Sequence, residues 1–191
     1  MKIVQSILAV SLLAIATASN ADNRFFAEAG IHFGGDNLVT VAFIGGGSES
    51  INAGELLSGS VGMISDISES LKLRASIGIK FDAISAVNGD ISFTRFPLEG
   101  MLFTNNAEGF NFGAGITYHL APELDASGPV LSGNVPFDDA LGFVAEVDYL
   151  LSEKAYLGFK LTSIDYEIEN AFPGTPAVDG NSFGIVIGVS F

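Results

Sequence analysis

Apolar and polar positions alternate along most of the chain, and the last ten residues show this most clearly. Phe183, Ile185, Ile187, Val189 and Phe191 share one face, opposite small or polar residues. A period of two residues is typical of a β-strand with one apolar side. The same alternation predicts eight long strands, over residues 24–33, 54–66, 70–83, 90–104, 109–121, 137–151, 155–169 and 182–191.

The connections between these strands alternate in length. Tight turns are expected at 67–69, 105–108 and 152–154, long loops at 34–53, 122–136 and 170–180, and an intermediate one at 84–89. Short turns at one end and long loops at the other are typical of transmembrane barrels. Because the strand number is even, both chain ends fall on the short-turn side, the periplasm. A β-prone piece at 38–44, between glycine-rich turns, predicts an extra hairpin in the first long loop.

The sequence therefore predicts an all-β fold, an eight-stranded antiparallel up-and-down transmembrane β-barrel. A soluble, lipocalin-like barrel with its apolar face turned inward is the alternative. The membrane barrel is favoured because glycines on the polar face make room for long side chains in a narrow lumen. Aromatic residues also gather near the ends of the apolar face, as in interfacial girdles. Charges of both signs occupy the predicted lumen: Glu28, Lys72, Arg74, Lys80, Asp82, Arg95, Glu99, Glu146, Asp148 and Lys160.

Residues 1–21 have the pattern of a secretory signal peptide. A basic start and an uncharged apolar run at 3–16 precede small residues at the end of the segment. We expect cleavage after Ala21, with cleavage after Ala18 as the alternative. Residues 22–191 then form one outer-membrane β-barrel domain.

Charge and cysteine content exclude several classes of function. The chain has 191 residues, a formal net charge of −14 and eight Lys and Arg residues, too few to meet the phosphates of a nucleic acid. It has no cysteine, which excludes disulfides, a thiol nucleophile and Cys-ligated zinc.

Several stretches resemble a known group of proteins. The C-terminal strand NSFGIVIGVSF, ending at Phe191, is similar to that of the small outer-membrane β-barrels of Gram-negative bacteria, which include the OmpA membrane domain. The segments FPLEGMLF, GAGITYHLAPEL, FDDALGFVAEVDY and DGNSFGIVIG look more narrowly like uncharacterised eight-stranded barrels of marine gammaproteobacteria. The resemblance implies insertion by the barrel-assembly machinery, with Phe191 as the assembly signal. It implies no catalytic residues and no cofactor.

The two histidines are the main candidates for chemistry. His32 and His119 both face inward near the long-loop end, where a hydrolase acting on lipid or peptide would place its site. They stand on strands at opposite sides of the barrel, so a shared site is hard to build, and neither can be paired with a particular serine from the sequence. We expect histidines hydrogen-bonded within the lumen.

These patterns favour a non-enzymatic outer-membrane protein with a structural or surface-interaction role. An eight-stranded barrel is filled by its own side chains, so no wide pore is expected, although a narrow channel stays open as an alternative. The expected surroundings are outer-membrane lipid, including lipopolysaccharide, around a monomer.

Hairpin register adds two specific expectations. A turn at 152–154 places Glu146 opposite Lys160 as a lumenal ion pair. Continued toward the long loops, the same register pairs Leu141 with Asp165 and Asp139 with Glu167, which would crowd like charges together. A weakly bound Ca²⁺ or Mg²⁺ would relieve this crowding at an oxygen-only patch. That patch would consist of Asp139, Asp165, Glu167 and Glu169.

Overall fold

The computed structural model describes residues 23–42, 46–86, 89–105, 109–128 and 132–191. The predicted signal peptide lies outside the described residues. Within these ranges, no helix is long and apolar enough to cross a membrane.

The described residues form thirteen strands. In chain order they are β1 (Asn23–Phe33), β2 (Asn37–Ala42), β3 (Ser48–Asn52), β4 (Leu56–Ser68), β5 (Leu71–Ala86), β6 (Gly89–Asn105), β7 (Phe110–Ser127), β8 (Gly133–Pro136), β9 (Ala140–Leu150), β10 (Ala155–Ser163), β11 (Asp165–Tyr166), β12 (Val178–Asp179) and β13 (Ser182–Ser190).

Eight of these strands close into an antiparallel barrel. Around the wall the order is β1, β4, β5, β6, β7, β9, β10 and β13, and β13 pairs with β1 to complete the ring. Both ends of the described chain lie at the end with the short connections, which we call the short-turn end. The opposite end is the long-loop end. The predicted up-and-down barrel is confirmed, as is the extra hairpin, formed by β2 and β3.

The apolar face of the wall points outward, which decides between the two predicted kinds of barrel. Phe25 and Phe143 on this face are 62% and 72% exposed, whereas Phe26 and Val144, their neighbours in sequence, are buried in the lumen. A soluble barrel would expose its polar face to water and enclose the apolar one. The lipocalin-like alternative is therefore wrong.

Glycines on the inward face leave space for neighbouring rings. A methyl group on Gly188 would overlap the Tyr156 ring, and one on Gly113 would overlap the Phe103 ring. These glycines allow aromatic side chains to lie flat across a lumen only eight strands wide.

Near the long-loop end, several strands are longer than predicted. Strand β5 runs to Ala86 and β6 begins at Gly89, so most of the expected loop at 84–89 is paired strand. Likewise β7 runs to Ser127 and pairs with β8, so much of the expected loop at 122–136 is a hairpin.

A bulge explains why the alternation in β7 becomes hard to follow. Leu120 lies opposite Phe96, but Glu123 lies opposite Thr94, so an extra residue is inserted between them. Ala121, inside the bulge, has a φ of 44°. An extra residue reverses which side chains point inward, and the period of two therefore breaks at this position.

Candidate functional site

An ion network fills the middle of the lumen. Lys160 on β10 reaches three carboxylates, with its Nζ 2.7 Å from Glu28 Oε1, 3.1 Å from Glu99 Oε2 and 3.2 Å from Glu146 Oε2. The backbone register places Lys160 directly opposite Glu146, as predicted. Because these residues come from β1, β6, β9 and β10, the network ties together opposite sides of the wall.

Arg74 on β5 is the second cation of the network. Its guanidinium lies 2.5 Å from Glu146 and 3.3 Å from Asp148. It also donates a hydrogen bond to the Tyr156 hydroxyl at 3.1 Å and lies over the Phe103 ring, 4.2 Å from the centroid. Asp148, which stands two residues from Glu146 on the same face of β9, therefore pairs with Arg74.

The remaining predicted lumen charges lie on either side of this network, towards the long-loop end or towards the short-turn end. Lys80 is buried nearer the long-loop end and donates to Ser182 Oγ at 2.9 Å. Asp82 is also buried and is held by backbone hydrogen bonds at Asn52 and Ala83. Lys72 lines an 80 Å³ cavity near the short-turn end.

An apolar cluster, which we call the outer plug, fills the long-loop end of the lumen. Its core consists of Ile51, Ala53, Ile84, Phe93, Phe137, Ala140, Ile164 and Tyr166. Phe93 is at its centre, with ring centroids 5.5 Å from Phe137 and 5.8 Å from Tyr166. The β2–β3 hairpin and its connection to β4 contribute Ile51 and Ala53, so this hairpin folds over the mouth.

Arg95 joins the outer plug to the rest of the lumen. It is fully buried, lies over the Phe93 ring at 4.5 Å from the centroid, and donates to the backbone carbonyl of Glu55. A buried guanidinium needs such acceptors to offset its lost hydration. Arg95 thereby fixes the segment before β4 against the barrel wall.

Both histidines lie beneath the outer plug, and the narrow lumen brings them to one small cavity. His32 Nε2 is 2.8 Å from Ser58 Oγ, while His119 Nδ1 is 2.6 Å from the Tyr166 hydroxyl. The shared cavity measures only about 30 Å³, which is room for one or two water molecules. Although the two histidines border the same cavity, each has its own hydrogen-bond partner.

The His32–Ser58 pair has no third member of a catalytic triad among the described residues. Within the described residues, His32 Nδ1 has no hydrogen-bond partner, so no carboxylate orients the ring as in a catalytic triad. The outer plug also separates this pair from the long-loop surface.

The predicted register above β10 is wrong. The β9–β10 ladder ends with Ser163 opposite Phe143. Beyond it, the Asp138 N–H donates to the Glu167 carbonyl and Phe137 bridges to Ile168, one residue out of the predicted pairing. On its other side the chain stays in the wall, because Asp165 pairs with Asp179 in the register that joins β10 to β13.

The same hairpin carries the four carboxylates predicted to bind a cation. Asp139 turns toward β7, where its Oδ1 accepts from the Ala121 backbone N–H at 2.9 Å and its Oδ2 accepts from the Tyr118 hydroxyl at 3.2 Å. Among the described residues, no group of three or more His, Cys, Asp or Glu side chains is placed to hold a metal ion. The structure does not assemble the patch of Asp139, Asp165, Glu167 and Glu169, and Ca²⁺ or Mg²⁺ binding stays a prediction without a site.

The barrel resembles solved outer-membrane barrels in fold but not in sequence. The structure of Ail, the attachment invasion locus protein of Yersinia pestis, in complex with the heparin analogue sucrose octasulfate, matches with a TM-score of 0.59 and 7% identity, over 90% of this chain and 99% of Ail. Neisserial surface protein A, NspA, matches with a TM-score of 0.54 and 14% identity, over 91% of this chain and all of NspA. No protein-family description and no curated protein matches the sequence.

The outward apolar wall, the charged lumen and these likenesses define the class of protein. The chain has the fold of the small eight-stranded outer-membrane β-barrels.

Proposed function

We propose that this protein is an integral outer-membrane barrel with a sealed lumen, which acts through its outer surface rather than as a pore or an enzyme. The observation that carries this proposal is closure at two levels, by the Lys160–Arg74 ion network and by the outer plug. Each level is built from side chains of several strands, so neither opens by the movement of one loop.

The same proposal includes the parts of the protein that the structure leaves untested. Residues 1–21 are removed as a signal peptide, and both termini of the mature chain lie in the periplasm. The barrel-assembly machinery inserts residues 22–191 through the C-terminal strand. The mature protein is a monomer among outer-membrane lipids, including lipopolysaccharide.

The outer surface is acidic, and this limits its partners. Nine carboxylates are exposed around the long-loop end: Asp36, Glu49, Asp90, Asp125, Asp138, Asp139, Asp165, Glu167 and Glu169. The two bases nearest this end, Lys80 and Arg95, are buried. Complementary charge favours a cationic partner and opposes a polyanion. The sulfated ligand bound to Ail is therefore a poor guide to the partner of this protein.

Conductance across a planar lipid bilayer tests the sealed lumen. We expect no single-channel steps from wild type, from Arg74→Ser, which weakens the ion network, or from the double variant Phe93→Ala with Tyr166→Ala, which opens the outer plug. Only the combination of all three substitutions weakens both barriers, and it is expected to conduct small ions. Phe172→Ala is the matched control, because Phe172 is 88% exposed on a loop.

Reproducible steps from wild type would refute the sealed lumen and favour the narrow-channel alternative. Single-channel steps from Arg74→Ser, or from the double variant of the outer plug, would show that the barrier changed in that variant is the one that closes the lumen. Protease shaving of intact cells tests location separately, since the long loops should be cut while the short turns are protected.

A further inference from the structure

A groove of about 530 Å³ lies on the outside of the barrel wall. Its floor includes Ala114 and Ala145, which face each other across β7 and β9. Leu161 and Phe183 continue the same row across β10 and β13. Two small residues beside bulky ones leave a depression in the wall.

The side chains around the depression are apolar and exposed. Phe143, Leu161 and Phe183 border it and belong to the outward face of the barrel. The volume falls within the roughly 300–1,000 Å³ typical of pockets for small ligands. An occupant with a long hydrocarbon chain would fit both the shape and the lining.

The groove lies in the half of the wall nearest the long loops. Phe33, Ser163 and Asn181 mark its upper limit, and each stands at the end of a barrel strand or just beyond it. Ser163 and Asn181 add polar groups only at this limit. An occupant would therefore be apolar along the groove and polar at its upper end, as a lipid of the outer leaflet is.

We propose that this groove holds an acyl chain of an outer-leaflet membrane lipid more tightly than the rest of the wall does. The proposal rests on the membrane location proposed above, because the groove is continuous with the lipid-facing surface. A second copy of the chain fits less well. Thirteen residues line the groove, whereas standard protein interfaces use about 20–30 residues on each side. In a dimer with two-fold symmetry, the groove of one copy would also face the groove of the other, and neither groove would be filled.

Native mass spectrometry of the purified protein tests the proposal. The protein is extracted in dodecyl maltoside, incubated with palmitoyl-oleoyl phosphatidylethanolamine, and activated until loosely bound lipid is lost. We expect wild type to keep one lipid under conditions in which Ala145→Phe, which fills the groove, keeps at least fivefold less. Ala114→Leu fills the same floor from β7 and is a second, milder variant.

Ala75→Phe is the matched control. Ala75 also faces outward, but it stands on β5, on the opposite side of the ring from β10. It should retain lipid as wild type does. Equal retention in wild type, Ala145→Phe and Ala114→Leu would overturn the proposal, as would equal loss in Ala75→Phe.

Two further outcomes separate this proposal from its alternatives. A wild-type dimer that Ala145→Phe dissociates would show that the groove receives a second copy and would overturn the lipid assignment. Release of the native protein from cells without detergent would instead refute the membrane location, whatever the groove variants show.

Discussion

Replacement of Lys160 by methionine is expected to destabilise the barrel strongly. Lys160 is the nearest cation to Glu99 and lies within ion-pair distance of Glu28 and Glu146. Methionine has a similar length but no charge. The variant would leave Glu28 and Glu146 with Arg74 as their cation, and Glu99 without an ion-pair partner among the described residues.

The magnitude follows from the balance of charges in the network. Its ionisable groups are two bases, Arg74 and Lys160, and four carboxyl groups, those of Glu28, Glu99, Glu146 and Asp148. Removal of one partner from a buried ion pair costs roughly 3–5 kcal/mol, because the other charge is left uncompensated. We expect Lys160→Met to lower the free energy of unfolding by at least about 3 kcal/mol on this basis. Glu146→Gln should cost less, since it removes one of the carboxylates in excess.

Urea unfolding of the barrel in detergent, followed by circular dichroism, measures both effects. Lys154→Met is the control, because Lys154 is exposed in the turn between β9 and β10. A surface charge of this kind contributes at most about 1 kcal/mol. A Lys160→Met variant within about 1 kcal/mol of wild type would refute the reasoning and show that the lumen is hydrated well enough to screen its charges.

One deletion and two substitutions test separate parts of the structure. Removal of Phe191, which stacks on Phe25 with centroids 6.5 Å apart, should sharply lower the amount of folded barrel in cells but change the urea midpoint of the purified protein little; equal accumulation in cells would contradict this. Gly188→Leu should prevent or weaken folding because its side chain would overlap the Tyr156 ring, and normal heat resistance on gels would contradict it. Burial raises the pKa of the Tyr166 phenol to about 12. An unfolded chain loses that proton near pH 10, so stability should fall as pH rises between these values. Tyr166→Phe should reduce that loss, and an unchanged alkaline slope of the urea midpoint would count against it.

The wall of the barrel could be predicted because the membrane imposes a strict alternation on it. Each strand must show an apolar side to lipid, so a period of two residues identifies both the strand and its inward face. The tight turn after Leu151 also fixed the register of β9 and β10. This placed Glu146 opposite Lys160 without any knowledge of the rest of the barrel. Arg74 could be assigned to the lumen but not to Asp148, because partners from distant strands depend on how the ring closes.

The outer plug could not be predicted, because its residues are in segments that resemble loops. Ile51 and Ala53 follow a glycine- and serine-rich turn, and nothing in the sequence indicates that they fold back over the mouth. Phe93 and Ile84 do stand at inward positions of their strands. A run of apolar inward positions at the ends of β5 and β6 is the signal that would have suggested a closed mouth.

The predicted pairing of β9 with β10 is wrong only beyond Ser163, where the wall no longer has to present an apolar side to lipid. Below Ser163, a one-residue slip would turn the whole apolar face of β10 into the lumen, so the pairing is strongly determined. Above it, towards the long loops, both sides of the chain meet protein or water, and the pairing slips by one residue, so that Phe137 lies opposite Ile168. The same freedom makes the long-loop end the part of the molecule that can vary without loss of the barrel. The surface-interaction role that we propose would belong there, beside the exposed carboxylates and above the ion network and the outer plug.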